Sequence, residues 1–325
     1  MRIFVTGGSG FVGGAVLRHL RQQGFEAEGF SRSGSAAFKG DLLDPPSIAA
    51  ALAQFQPQVV IHCAATTDLK GRAAGYAANL EGVDHMLAAV RGCASVKRGI
   101  WLSSQLVHRL DRAPASETSF DPVDAYGASK AEGEKKVRAA DGGGAAWLIV
   151  RTPTIWGPGM SAHYAGVLRL IRRGLYFHVG RRPIRKSYAY IDTLAAQLVT
   201  AATAPVEAIN RRALYFGDPE PLDVRAWADG FAEEWGRRIP TLPQPLARAA
   251  ALAGDAIIAA GGRSPLSSRR LANLQLNYVH DVSAITALHR TPGVHWREGV
   301  RRTRLWLDGA DPVAREDAAR VPALT

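Results

Sequence analysis

Short apolar runs alternate with longer amphipathic stretches through the first half of this 325-residue chain. Residues 2–5, 25–30, 59–63, 100–104 and 146–151 have the length and composition of buried strands. Residues 48–55, 75–91 and 125–140 carry apolar positions at helical spacing and are predicted helices. Strands that alternate with helices build a parallel sheet covered on both faces. Beyond Pro158 the pattern changes, with loops, prolines and tryptophans interrupting shorter elements. Residues 191–202 and 212–216 restore the helix and strand patterns and are expected to return to the first lobe. The expected division is 1–157 with 186–217 rejoining it, 158–185 and 218–309 as a smaller second lobe, and 310–325 as a poorly ordered tail. Gly142-Gly143-Gly144 reads as a flexible turn.

The first strand runs directly into Thr6-Gly7-Gly8-Ser9-Gly10-Phe11-Val12-Gly13, and a helical pattern follows through Ala15, Val16, Leu17 and Leu20. Gly7, Gly10 and Gly13 have the spacing of a dinucleotide-binding turn. The first allows the tight bend, the second lets a pyrophosphate approach the backbone, and the third permits close helix packing. The helix N-terminus then turns its unpaired N–H groups and positive dipole end toward the phosphates. Further along, Tyr126-Gly127-Ala128-Ser129-Lys130 stacks a phenol and an ammonium on one helix face. An ordinary tyrosine has a pKa of about 10, and a nearby cation favours the phenolate, which brings proton exchange toward neutrality.

Together these segments resemble the extended short-chain dehydrogenase/reductase superfamily, whose members include nucleotide-sugar epimerases, dehydratases and reductases. Gly40-Asp41-Leu42-Leu43-Asp44 is similar to the family's adenine-contacting turn, and His62-Cys63-Ala64-Ala65 to the cofactor-lining end of its fourth strand. Asn79 matches the helix asparagine, and Leu102-Ser103-Ser104-Gln105-Leu106-Val107 matches the strand that ends in the catalytic serine or threonine. Arg151-Thr152-Pro153 opens a segment similar to the family's nicotinamide end. The resemblance implies an α/β Rossmann fold: a doubly wound parallel sheet with a smaller, mainly C-terminal substrate-binding lobe. It implies that Gly7, Gly10, Phe11, Val12, Gly13, Ser31, Arg32, Asp41, Leu42, Ala64, Ala65, Asn79, Lys130 and Pro153 line the cofactor. Alignment through Val107 places Ser104, rather than Ser103, at the catalytic position. In that scheme Ser104 hydrogen-bonds the substrate oxygen and Tyr126 exchanges its proton. Lys130 lowers the phenol's pKa and binds the nicotinamide ribose.

At the end of the second strand, where a carboxylate would hold the ribose 2′-hydroxyl of NAD, stand Ser31 and Arg32. Arg32 suits the 2′-phosphate of NADP, so NADP is the expected cofactor, with NAD as the alternative. Dehydratases of the family carry Asp-Glu after the catalytic hydroxyl, to act as acid and base; Gln105-Leu106 here disfavour dehydration. What remains is reversible oxidation at a carbinol carbon. The leading expectation is a keto-sugar reductase acting on a nucleotide sugar. The alternatives are a nucleotide-sugar C4 epimerase, a reductase of a steroid-like or other hydrophobic ketone, and an NADP-sensing binding protein without turnover. Arg185 and Arg270 suit a diphosphate-linked substrate, because a guanidinium grips two oxygens at once. His178 is a further candidate contact, in a loop similar to one from bacterial surface-polysaccharide pathways. His108-Arg109 and Tyr190 depart from the family's Tyr-Gly and His, which weakens the transfer of epimerase contacts.

Composition narrows the picture modestly. At 47% hydrophobic residues the chain can bury a large core. Its formal charge of +11 is spread over scattered arginines without a nucleic-acid-binding signature, so nucleic acid is not an expected partner. The longest apolar stretch, 246–258, contains Arg248 and Asp255 and is too short to span a bilayer; it reads as a buried or interfacial helix. Cys63 and Cys93 lack metal-site spacing, and neither a metal nor a disulfide is expected. No basic, apolar leader precedes the first strand, so the expected location is cytoplasmic. The resemblance implies a homodimer through the helices containing 75–91 and 126–140.

Overall fold

A computed structural model describes residues 1–67, 73–160, 162–264 and 266–309. Its central sheet has the 7 strands β1 (Arg2–Thr6), β2 (Glu26–Ser31), β3 (Phe38–Lys39), β4 (Val59–His62), β5 (Arg98–Ser104), β6 (Ala146–Thr152) and β7 (Arg212–Tyr215). They run in the order β7-β6-β5-β4-β1-β2-β3, and every pairing is parallel. This is the expected doubly wound Rossmann sheet. β4 is buried along its whole length, as a strand covered on both faces must be, and its Val-Val-Ile run supplies branched side chains for both layers. Phe4 on β1 lies 5.8–6.3 Å from the rings of Phe30, Phe38 and Phe55, at the centre of one face's core.

The helices are α1 (Phe11–Gln22), α2 (Pro45–Phe55), α3 (Ala77–Gly92), α4 (Ala125–Ala139), α5 (Ala162–Arg173) and α6 (Ile191–Thr203). They are followed by α7 (Val206–Ile209), α8 (Val224–Glu234), α9 (Gln244–Ala259), α10 (Ser268–Gln275), α11 (Ser283–Leu288) and α12 (Trp296–Leu307). Because the strand order reverses direction between β1 and β4, the chain ends that follow these two strands diverge and leave a crevice at the carboxyl edge of the sheet.

Two compact units divide the chain. The first comprises Met1–Ile155, Tyr188–Pro219 and His280–Gly293; the second comprises, of the described residues, Trp156–Ser187, Glu220–Val279 and 294–309. Residues 280–293 were expected in the second lobe, yet they belong to the first unit. There α11 packs on α6, and the His280 ring stacks on Tyr215 at 4.2 Å. In the second unit α5 and α12 pack against α8, where Trp156, Trp227 and Phe231 meet edge to face. α10 packs against α9.

The glycine triplet at 142–144 is not a loose turn. All three glycines have positive φ, and a side chain on Gly142 or Gly143 would run into Trp147 or the Leu87 carbonyl. Gly142 and Gly143 therefore serve close packing, and Gly144 serves its positive φ alone. The tail expected at 310–325 lies outside the described residues. Among the described residues, no helix is long and apolar enough to cross a membrane.

Candidate active site

The glycine turn is built by close backbone approach. Gly7 bends at φ +71°, and its N–H donates to the Phe30 carbonyl at 2.8 Å. A Cβ on Gly13 would collide with the Gly7 carbonyl oxygen, and one on Gly8 would fall 2.8 Å from the Gly29 Cα. Gly10 opens α1 without any side-chain cap, which leaves the first-turn N–H groups at Phe11, Val12 and Gly13 for an anion. This cradle, in which side chains are sterically forbidden, fits a dinucleotide pyrophosphate.

At the end of β2 the Ser31 hydroxyl donates to the Ser33 carbonyl at 2.8 Å, while Arg32 is 79% exposed with its guanidinium 3.9 Å from Asp41. Asp41 also accepts the Leu43 N–H at 3.0 Å, and the buried Leu42 offers its carbonyl to His85 Nδ1 at 2.7 Å. Between the two strands, the Thr6 hydroxyl is 3.0 Å from His62 Nδ1 and accepts the Ala64 N–H at 3.1 Å. This bond pins the backbone leading into Ala64 and Ala65. Burial, reinforced by the Lys130 charge, lowers the His62 pKa to about 3, so this imidazole is neutral. Burial likewise pushes the Cys63 thiol up to about 12, so it is no nucleophile.

The alternation of β5 separates its two terminal serines. Ser103 donates to Glu134 at 2.6 Å inside a buried network in which Arg151 clamps the same carboxylate at 2.9 and 2.7 Å. Ser104 faces the other way, accepts the Leu106 N–H at 3.2 Å, and opens a short helical turn at Gln105–Val107. Tyr126 occupies the first turn of α4, whose N-cap Asp124 accepts the Gly127 N–H at 2.6 Å. Gly127 is the contact point: a side chain there would strike the Leu106 carbonyl, so only glycine lets this turn of α4 lie against the turn that follows Ser104. Ser129 donates to the Tyr126 carbonyl at 2.7 Å, and buried Asn79 of α3 donates to Ser129 at 2.9 Å. Lys130, one turn beyond Tyr126, is buried, and that burial lowers its ammonium to about 8, with Glu134 opposing the shift. Pro153 is buried just past β6.

Glycine cradle, Ala64, Ser104 and Pro153 thus all follow the carboxyl ends of β1, β4, β5 and β6, the edge where doubly wound sheets hold ligands. The three expected substrate contacts lie in the second unit. His178 is buried and bonded to Asp229 at 2.8 Å, so its ring is committed within that unit. Arg270 donates to the Ser264 carbonyl at 2.8 Å, and Arg185 is exposed on a short strand. Sequence reasoning missed Gly127, Gly8 with Gly29, and the Thr6–His62 bond. It also missed His280, whose Nε2 lies 2.8 Å from the Gln105 side-chain oxygen. Gly127 was open to view inside the Tyr-to-Lys spacing; the others become neighbours only through long-range packing.

A glycine-cradled, parallel-sheet α/β unit with a serine, a tyrosine and a lysine at its carboxyl edge defines a dinucleotide-dependent oxidoreductase fold. The chain belongs to the NAD dependent epimerase/dehydratase family, whose model matches residues 3–214. It is 32% identical over 243 residues to 2-alkyl-3-oxoalkanoate reductase of Stenotrophomonas maltophilia, covering 69% of this chain and 73% of the relative. It is 28% identical over 275 residues, 79% of this chain and 80% of the relative, to 4-hydroxy-2-methyl-3-oxo-4-farnesyl-3,4-dihydroquinoline-1-oxide ketoreductase of Stigmatella aurantiaca. UDP-glucuronic acid 4-epimerase from Bacillus cereus, solved with UDP-glucuronic acid and NAD, shares the fold at a TM-score of 0.73 and 17% identity, over 95% of this chain and 99% of that one. Its relatives include reductases and dehydrogenases, solved structures that share its fold include epimerases, and the chain is an enzyme of that oxidoreductase/epimerase kind.

Proposed function

We propose that the chain is an NADP-dependent reductase of a hydrophobic ketone, with Ser104, Tyr126 and Lys130 as its catalytic residues. The observation that carries this reading is the seat of Gly127 on the Leu106 carbonyl, which sets the Tyr126 turn beside the turn opened by Ser104. When bound, the cofactor supplies the hydride. Ser104 then donates a hydrogen bond to the ketone oxygen, and Tyr126 delivers a proton to that oxygen as negative charge builds on it. The Lys130 ammonium stabilises the phenolate left behind. The Gly7 to Gly13 cradle would hold the pyrophosphate, and exposed Arg32 the 2′-phosphate, with Ser31 too short to compete for the ribose as an acid would.

Two named relatives, a 2-alkyl-3-oxoalkanoate reductase and a farnesylated dihydroquinoline-oxide ketoreductase, support an apolar ketone over the nucleotide sugar that the sequence first favours. A keto-sugar reductase or C4 epimerase acting on a nucleotide sugar is the second reading. It is favoured by the exposed Arg181, Arg182 and Arg185 and by the shared fold of a UDP-glucuronic acid 4-epimerase. NADPH oxidation with a 2-alkyl-3-oxo acid and with a UDP-4-keto-sugar separates them. Turnover of the oxo acid is expected. Turnover of the keto-sugar alone, or C4 inversion of a UDP-sugar without net oxidation of the cofactor, would establish the second reading, and NADPH binding with neither would leave only a binding protein.

A further inference from the structure

We propose that the outer face of α9 docks on the surface of an anionic lipid bilayer. α9 spends only a narrow stripe on its own unit: Ala247, Ala251 and Gly254 are buried, against Leu271 of α10 and the partly buried Val179, Leu242 and Leu266. Most of the rest is exposed and apolar. Leu246 is 58%, Leu252 65% and Ile257 49% exposed, and Ala249, Ala250, Ala253 and Ala256 lie exposed among them. At 3.6 residues per turn these positions span roughly 160° of the helix surface, without a charged residue among them. Arg248 and Asp255 lie beyond the edge marked by Leu252.

Charge and area identify the occupant. Residues 244–279 contain exposed Arg248, Arg263, Arg269 and Arg270, with Asp255 their sole acid, in a chain of net charge +11. An exposed apolar helix face within a segment whose charges are net basic suits an anionic headgroup boundary. A helix of this length is about 24 Å long and presents a strip about 10 Å wide, or roughly 240 Å². A stable protein complex needs about 800 Å² from each partner, so a second copy or a folded protein gains too little here. A bilayer needs no matching partner shape.

The test is co-sedimentation of the full chain with vesicles of phosphatidylcholine alone and of phosphatidylcholine with phosphatidylglycerol, at low and high salt. The expected result is binding to the anionic vesicles that weakens with salt. The double variant Leu252→Glu/Ile257→Glu should lower that binding at least about tenfold. Its unfolding midpoint should stay that of the unaltered chain, because both side chains point outward. Failure to bind the anionic vesicles, equal binding to neutral ones, or unchanged binding by the double variant would overturn the proposal. So would a dimer in sedimentation velocity that the double variant dissociates, since the face would then belong to a second copy. None of these outcomes depends on the substrate or the cofactor.

Discussion

In the first unit Glu134, 2% exposed, joins Ser103 and Arg151 in a closed network; in the second unit the comparable pair, His178 with Asp229, leaves the carboxylate side chain 39% exposed. The contrast extends to apolar groups. Val167, Leu170, Leu175, Phe177, Leu246, Leu252, Ile257, Ile258, Leu274 and Val279 of the second unit are exposed, against Met1, Leu43, Val123 and Val206 of the first. The first unit spends its side chains inward and holds backbone and polar groups in fixed positions, as proton transfer over a fraction of an ångström demands. The second spends them outward, where a surface can be tuned without disturbing that geometry.

The largest expected effect is chemical and confined to the first unit. Tyr126→Phe removes the proposed proton donor but keeps the ring that lies 6.3 Å from Tyr76. Turnover should fall by about 10²–10⁴, the usual worth of a positioned acid or base, with the NADPH dissociation constant unchanged by fluorescence titration. An unimpaired variant would remove the tyrosine from the mechanism.

Stability should then divide the units. Glu134→Ala takes the carboxylate from the buried Arg151 guanidinium and should cost about 3–5 kcal/mol in urea unfolding, whereas Asp229→Asn should cost about 1 kcal/mol or less. Equal costs would erase the distinction. Glycines give the same contrast on a smaller scale. Gly127→Ala drives a methyl into the Leu106 carbonyl and should cost about 1–3 kcal/mol, with a loss of turnover as α4 is displaced. Gly166→Ala, in α5 with nothing within 4 Å of the new Cβ, should instead stabilise by about 0.5–1 kcal/mol.

How far the sequence foretells each feature follows from where its cause lies. Strands β1, β4, β5 and β6 are legible because each carries an apolar run buried on both faces, whereas β2, with Glu26 exposed and Glu28 half-buried, is legible by its place between the first helix and the next. β3 is not, since Phe38–Lys39 is too short for any period and exists through pairing with Phe30 and Ser31. The glycine cradle is legible as spacing, yet the partner that forces Gly8, namely Gly29 across β2, has no mark in the sequence. The choice of Ser104 over Ser103 comes from register. Its physical counterpart, the commitment of Ser103 to Glu134, joins residues on different elements and emerges only in three dimensions. The return of 280–293 to the first unit depends on His280 reaching Tyr215 and Gln105, contacts that no local pattern announces.

A last effect, about tenfold in turnover per pH unit, uses two buried lysines to sharpen the comparison. Lys130 in the first unit and Lys186 in the second are both lowered to about 8, chiefly by burial. For each, the folded value lies below the unfolded one, so burial costs stability below about pH 8, where both states are charged. That cost is relieved as pH rises toward the unfolded value of about 10.4. Both units should therefore gain stability from this source between those values. Activity should move the opposite way. In the proposed mechanism reduction uses the Lys130 ammonium beside the forming phenolate, so turnover should fall as pH rises through about 8, even while the fold gains. Lys186 donates to the Asn273 carbonyl at 3.0 Å within its own unit, so Lys186→Met should keep the inflection in the pH–rate profile. A flat profile through pH 8, or one whose inflection disappears with Lys186, would detach Lys130 from proton transfer.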